Sequence, residues 1–327
     1  MILRTNLEFE GKIIIADKIY NKKEFNTFLS EININPPFIV KPNWISEDYG
    51  HYTDPKVLKW LLQFLSSQGQ VVLTESYSAR NSINLPITGY KKLNEQDIKK
   101  IRESERNFLI RTGIHSLLQE LDIEYVNVTE EVLEQRIVDP DLVRKEVSAL
   151  YEPIFKTEFY SFVPEKLYKL REGTFLNLAK FKIFFSMCVK NIFGMIPEYV
   201  GYGSRYHYHG KDDKNLADNI IDINKVYRTL FNVVGIVEGV KTLTCNRRGT
   251  SKPYKAKFGY EYYVSENNGL IYFGNETHWL DAFIHQQSGK NPNQTEHLSK
   301  AADVFGKWSP KMLEVAKQMG DPLNVDN

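Results

Sequence analysis

The stretch FIVKPNWISEDYGHYTDPKVLKWLLQFLSSQGQVVLTE, residues 38–75, decides the fold. Phe38–Pro42 reads as a short buried strand that runs straight into Asn43, Trp44 and a polar loop. A helix starts near Asp54. Thr53 or Asp54 can cap it, Pro55 suits a first turn whose N–H groups lack helical partners, and Gly69 ends it. Val57, Leu58, Leu61, Leu62 and Leu65 give that helix one apolar face. Gln70–Glu75 follows as a second strand. Strand, loop, helix and strand in this order make a right-handed crossover between parallel strands. In open parallel sheets, ligands sit beyond the carboxyl ends of the strands. That rule singles out Lys41 and Asn43 after one strand, and Glu75 and Ser76 after the next. Asn43 and Ser76 also suit plain turn and cap chemistry.

A second stretch, LNLAKFKIFFSMCVKNIFG at 176–194, sets Lys180, Lys182 and Lys190 in an otherwise apolar run. An unpaired ammonium is expensive to bury, so these lysines either line an anion-binding cleft, pair with carboxylates elsewhere, or snorkel to the surface. Lys180 and Lys182 are two apart, so on a strand both project from one face. Asn191 and Gly194 follow Lys190 at a strand-to-helix passage.

Composition bounds the classes. The 327 residues form one large α/β domain, divisible into two lobes near residue 150. Lys and Arg number 42 against 41 Asp and Glu, so no global field favours nucleic acid or an anionic membrane. With only Cys188 and Cys245, neither a disulfide scaffold nor an iron–sulfur cluster of cysteines is expected. No secretory leader and no membrane span is read, which makes the cytoplasm the expected compartment.

Along the chain, Lys12–Asp17 reads as an edge or opening strand, Asn21–Ile32 as a helix, Leu93–Leu121 as a charged helical region and Ile123–Val128 as a strand. The run EQDIKKIRESERN is read as a solvated face. A helix over Asp139–Leu150 precedes an aromatic segment, Glu152–Arg171, read as an insertion or a peripheral strand and helix. His207 and His209 share a face if extended, which is a weak metal signal; His209 is a candidate anion ligand or acid/base instead. A helix over Asn215–Phe231 leads to a buried strand, Asn232–Glu238, whose terminal Glu238 is placed as a base or ligand. Arg247, in the basic loop TLTCNRRGTSKP, suits carboxylate or phosphate binding. Lys257–Val264 and Gly269–Phe273 are expected to form a hairpin about Glu266–Gly269, and Glu276–Gln287 a helix carrying Asp281 inward. Two surface helices, Thr295–Phe305 and Pro310–Met319, close the chain.

Several of these segments together resemble domain-of-unknown-function family 362 (DUF362). Lys41-Pro42-Asn43, Thr53-Asp54-Pro55 and Glu75-Ser76 are similar to its opening motifs. Asn177 to Lys182 and Lys190 to Gly194 resemble its central signature, and His209, Glu238-Gly239 and Gly274 through Asp281 its later ones. The resemblance spans roughly residues 37–306. This chain has Ala179 for the usual proline, Ile183-Phe184 for Thr-His, and Glu276-Thr277 for Asp-Pro. It lacks the ferredoxin-like cysteine cluster of longer members, so the resemblance implies a fold and a site region but no electron transfer.

The expected fold is therefore α/β, a mostly parallel sheet flanked by helices with a smaller α+β lobe from the second half. The leading functional expectation is a cytoplasmic enzyme of small-molecule biosynthesis, acting on a small anionic metabolite. Lys41, Asn43, Ser76, Lys180, Lys182, Lys190, Asn191 and Arg247 would bind substrate. Glu75, Glu238, Asp281 or His209 would move protons. The alternatives are a non-catalytic metabolite- or metal-binding protein and a structural subunit of a larger assembly. No metal ligand is assigned, no cofactor is named, nucleic-acid and membrane partners are not expected, and a homo-oligomer is left open.

Overall fold

A computed structural model describes residues 4–44, 46–78, 92–182, 187–198, 205–244, 253–256 and 260–323. Arg247, Cys245 and the Ile183-Phe184 departure lie outside the described residues. The chain opens with β1 (Thr5–Phe9) and β2 (Lys12–Lys18), an antiparallel hairpin, then α1 (Lys22–Ser30), capped by Asn21. Next come β3 (Phe38–Lys41), α2 (Pro55–Ser66) and β4 (Val71–Glu75), the crossover expected from the sequence. Asp54 caps α2 by accepting from Lys56 N, and Pro55 holds the first turn. Helices α3 (Glu95–Arg111) and α4 (Ile114–Glu120) lead to β5 (Glu124–Asn127). Short α5 (Val128–Leu133), α6 (Pro140–Ser148) and α7 (Glu165–Tyr168) precede β6 (Thr174–Lys182) and α8 (Cys188–Asn191). Then come α9 (Leu216–Leu230), β7 (Asn232–Thr244), β8 (Tyr254–Lys255), β9 (Glu261–Ser265) and β10 (Leu270–Gly274). Helices α10 (Thr277–Gln287), α11 (Glu296–Phe305) and α12 (Pro310–Met319) finish the chain.

The sheet runs β1-β2-β10-β7-β6-β3-β4-β5, and the five strands from β7 to β5 are mutually parallel. Strand alternation sorts the side chains. Phe38, Val40, Leu73, Leu176 and Leu178 pack with Leu58, Leu61 and Leu62 of α2 on one face. Ile39, Val72, Phe175, Ala179 and Phe181 pack with Ile220, Ile223 and Val226 of α9 on the other. Both faces are covered, which is why the central strands read as continuous apolar runs rather than alternating ones.

From β3 the chain steps outward to β4 and β5 through helices on the first face. It then returns across the second face to β6, on the other side of β3, and continues to β7. The connections leaving β3 and β6 thus diverge to opposite faces. A crevice opens beyond their carboxyl ends, the switch point of the sheet.

Five expectations change. Strand β2 is interior, because β1 covers it. The aromatic segment is no peripheral insertion, since Phe159, Tyr160, Phe162, Val163 and Leu167 are buried in the second-face core. Leu93–Leu121 is two helices broken at Gly113, which sits at φ +75°. No hairpin joins β9 to β10. Both pair antiparallel with β7 along one edge, β10 opposite Gly235–Gly239 and β9 opposite Thr242–Thr244. Strand β7 runs through Gly239 to Thr244, so Glu238 lies within a strand rather than at its end. One sheet holds strands from both halves of the chain. Among the described residues, no helix is long and apolar enough to cross a membrane.

Candidate functional site

Two buried ion pairs flank the switch point, each across a pair of neighbouring parallel strands. Lys41 at the end of β3 holds Glu75 at the end of β4, with Nζ 2.9 Å from Oε2. Lys180 on β6 holds Glu238 on β7, with Nζ 2.8 Å from Oε1. All four residues are at most 4% exposed. Charges this deep persist only when paired and hydrogen-bonded, so the sequence alternative of pairing with distant carboxylates is realised for both lysines.

The three N–H donors of Lys41 have three acceptors: Glu75, the Pro42 carbonyl at 2.9 Å and Asn191 Oδ1 at 3.2 Å. Burial pulls this ammonium below its usual range, Glu75 holds it up, and nearby Arg205 pulls it down again. A Cβ on Gly194 would come within 2.6 Å of Lys41 Nζ and 2.7 Å of Glu75 Oε1, so the pair fills the space a side chain would need. Glu238 also accepts from Asp54 N at 2.9 Å, at the N-terminus of α2, where a negative charge is favoured. Burial raises the Glu238 carboxyl above its usual range; Lys180 opposes the shift and Asp54 adds to it. Asp54 in turn pairs with Lys241 at 3.0 Å. Burial raises Asp54, but Lys241 and the Lys56 N–H outweigh it and the net shift is downward.

Amide side chains link the Lys41–Glu75 pair to Lys182, two residues beyond Lys180 on β6. Asn43 Nδ2 donates to Asn191 Oδ1 at 2.7 Å, while Lys182 Nζ donates to Asn43 Oδ1 at 2.7 Å. Asn191 Nδ2 donates to Asn177 Oδ1 at 2.7 Å, and Asn177 donates to the Cys188 carbonyl at 2.8 Å. Their spacing predicts one shared face for Lys180 and Lys182, but the pairing with β7 slips between them, Lys180 lying opposite Glu238 and Lys182 opposite Leu243. Lys182 differs in being only half-buried. The Asn43 loop is closed by its own ends: Asn43 N donates to Thr53 Oγ1 at 2.7 Å, and Thr53 N donates to the Asn43 carbonyl at 2.9 Å.

Ser76 Oγ donates to the Ile196 carbonyl at 2.9 Å and accepts from Arg205. Arg205 also donates to the Tyr77 carbonyl at 2.6 Å, tying the chain after β4 to the segment after α8. Beside the Lys41–Glu75 pair lies a small cleft with a cavity volume of about 20 Å3, room for a group the size of a water molecule or a hydroxyl. Trp44 and Phe108 wall it, together with Glu47, Glu75, Ser76 and Glu105.

Three candidates stand elsewhere. Asp281 accepts from Cys188 N and Val189 N, each at 2.9 Å, and so anchors the start of α8. Burial pushes its carboxyl up to about 7 against those bonds. Lys190 faces α11, where burial and then the Lys190 charge hold His297 down at about 3. His207 and His209 lie in a tight turn, Arg205–His209, rather than an extended segment. His209 Nδ1 is 2.7 Å from Asp213 Oδ1, and its ring stacks on Tyr206 at 4.3 Å. Among the described residues, no group of three or more His, Cys, Asp or Glu is placed to hold a metal ion.

Sequence reasoning missed Arg205, Lys241 and Glu105. Asp54 was expected as a helix cap and through the family resemblance, and Asn177 only through that resemblance. Glu105 belongs to the helical run read as solvated, yet it turns toward Tyr125 and Asn127 on β5.

No curated protein and no solved structure matches this sequence. The family described as "Domain of unknown function (DUF362)" matches residues 39–259, from the second residue of β3 past β8, and so covers both ion pairs, the asparagine bridge and Arg205. That match takes in well over half of the chain, and the protein belongs to the DUF362 family.

Proposed function

We propose that the protein is a cytoplasmic enzyme of small-molecule metabolism whose substrate is a small anionic metabolite bound at the switch point. One observation carries this reading: two buried lysine–carboxylate pairs, with the half-buried Lys182 beside them, gather at the carboxyl ends of parallel strands, where ligands of such sheets bind. Lys41 and Lys180 are sealed against their carboxylates. Lys182 is half-buried and donates to the Asn43 amide, and an ammonium fixed in this way can stabilise a bound anion. The buried pairs fix the floor, and the asparagine chain links the first of them to Lys182, which a ligand anion would meet.

Calorimetric titration with inorganic phosphate and with gluconate tests the reading. At least one anion is expected to bind the wild-type protein and to lose binding by tenfold or more in Lys182→Met, on the order expected when a charged hydrogen bond is removed. A wild-type protein that binds neither anion, or a K182M variant that binds equally well, overturns it.

A second reading, a non-catalytic metabolite-binding protein, is favoured by the engagement of both Glu75 and Glu238 in ion pairs. It predicts retention of the anion with no turnover, which product analysis after prolonged incubation distinguishes.

A further inference from the structure

The carboxylates named from the sequence are all occupied: Glu75 by Lys41, Glu238 by Lys180 and Asp54 N, Asp281 by the start of α8. Glu105 is differently placed. It sits on α3, half-buried, and shares a cleft wall with Glu75, Ser76, Trp44 and Phe108. Tyr125 O–H donates to its Oε1, and Asn127 Nδ2 approaches the same oxygen at 3.3 Å. These two residues of β5 fix the carboxyl in one orientation. Glu75 faces it from β4, and Arg205 faces it from the turn after α8. Burial first, and then the Glu75 charge, push the Glu105 carboxyl up to about 8, so it carries a proton at neutral pH. The indole N–H of Trp44, in the same wall, is buried without an acceptor among the described residues.

We propose that this cleft takes the uncharged oxygen-bearing end, a hydroxyl or carbonyl, of the anionic substrate whose charged end meets Lys182, and that Glu105 is the proton donor there. The inference rests on the anion reading above. A second anionic group is excluded by the acids of the cleft, whereas a neutral oxygen accepts from a protonated carboxyl. Trp44 and Asn43 are adjacent in the chain, so one loop serves both ends: Asn43 holds Lys182 and Trp44 walls the cleft. In the transfer step the O–H bond of Glu105 breaks as an O–H bond forms on the substrate oxygen. The carboxylate left behind keeps the Tyr125 and Asn127 donors, and Arg205 stands near it. The reverse transfer restores the acid.

Gluconate and hexanoate supply the test, because they share a carboxylate on a six-carbon chain and differ in hydroxyl groups. Affinities of the full-length protein are measured by calorimetry from about pH 6.5 to about pH 9.5, a span that brackets the Glu105 ionisation. Wild-type protein is expected to prefer gluconate by roughly tenfold at pH 7, and to lose that preference above pH 8 as Glu105 ionises. Glu105→Gln, neutral at every pH, keeps a preference that no longer depends on pH. Glu105→Ala has none. A wild-type preference that is absent, or that stays constant across the range, overturns the proposal while leaving the Lys182 reading intact. If neither acid binds the wild-type protein, the proposal falls together with that reading for carboxylates, and the phosphate titration above decides whether Lys182 binds anions at all.

Discussion

The Lys41–Glu75 and Lys180–Glu238 pairs are chemically the same, equally buried, and set symmetrically about the switch point, yet they are finished differently. Lys41 is closed from the cation side: every donor is used, and Gly194 lies so close that no side chain fits beside it. Lys180–Glu238 is closed from the anion side, by the Asp54 amide at the head of α2. The first pair therefore borders the cleft with a fixed cation behind a carboxylate, while the second locks a helix to the sheet. A buried ion pair can serve as the wall of a site or as a fastener. Its remaining partners, rather than the pair itself, determine which.

The comparison breaks most sharply when one partner is removed. Lys180→Met and Lys41→Met each strand a buried carboxylate and are expected to lower stability by about 3–5 kcal/mol in denaturant unfolding. Combining Lys180→Met with Glu238→Gln should recover much of that loss, because no uncompensated charge remains. Equal losses for the single and double variants would show that packing, not charge, dominates the second pair. Gly194→Ala acts on the first pair alone. Crowding of Lys41 and Glu75 should cost about 1–3 kcal/mol, with the second pair untouched. Full stability in that variant would show that the first pair shifts freely.

The smallest effect belongs to Asp54→Asn, which retains a capping side chain but loses the half-buried Lys241 partner, for about 1 kcal/mol or less. Asp54 has a folded-state pKa below its ordinary value, so its contribution is present above that value and fades as pH falls through the folded one. The gap between wild type and D54N should accordingly close in acid. A gap that widens there would reverse the assignment.

Much of this site was legible because parallel sheets place chemistry at strand ends. Lys41, Glu75, Lys180 and Lys182 sit where an apolar run meets a charge, and such places need no knowledge of the partner strand. The partners were less legible. Glu105 lies in EQDIKKIRESERN, where every face carries charge, and only packing against Tyr125 selects one glutamate from the run. Asp281 was read as a proton-transfer candidate from its place on the inward side of its helix. The N–H groups of α8 that it accepts from lie far away in the chain and leave no local spacing. The Glu266–Gly269 turn signal was genuine, with Asn267 and Gly269 both at positive φ. It serves an interruption between two segments that follow the same edge of β7, a choice made by pairing that turn chemistry does not encode.

The loop from Asn43 to Thr53 is pinched shut at its base by its own end residues, both of which stay fixed to the sheet. Between them no described residue is exposed: Tyr49 donates to Glu266 at 2.7 Å and lies under Lys241, and Glu47 pairs with Arg111 of α3. A loop braced on both flanks moves as one piece with its base, so whatever shifts Trp44 also shifts Asn43 and, through it, Lys182.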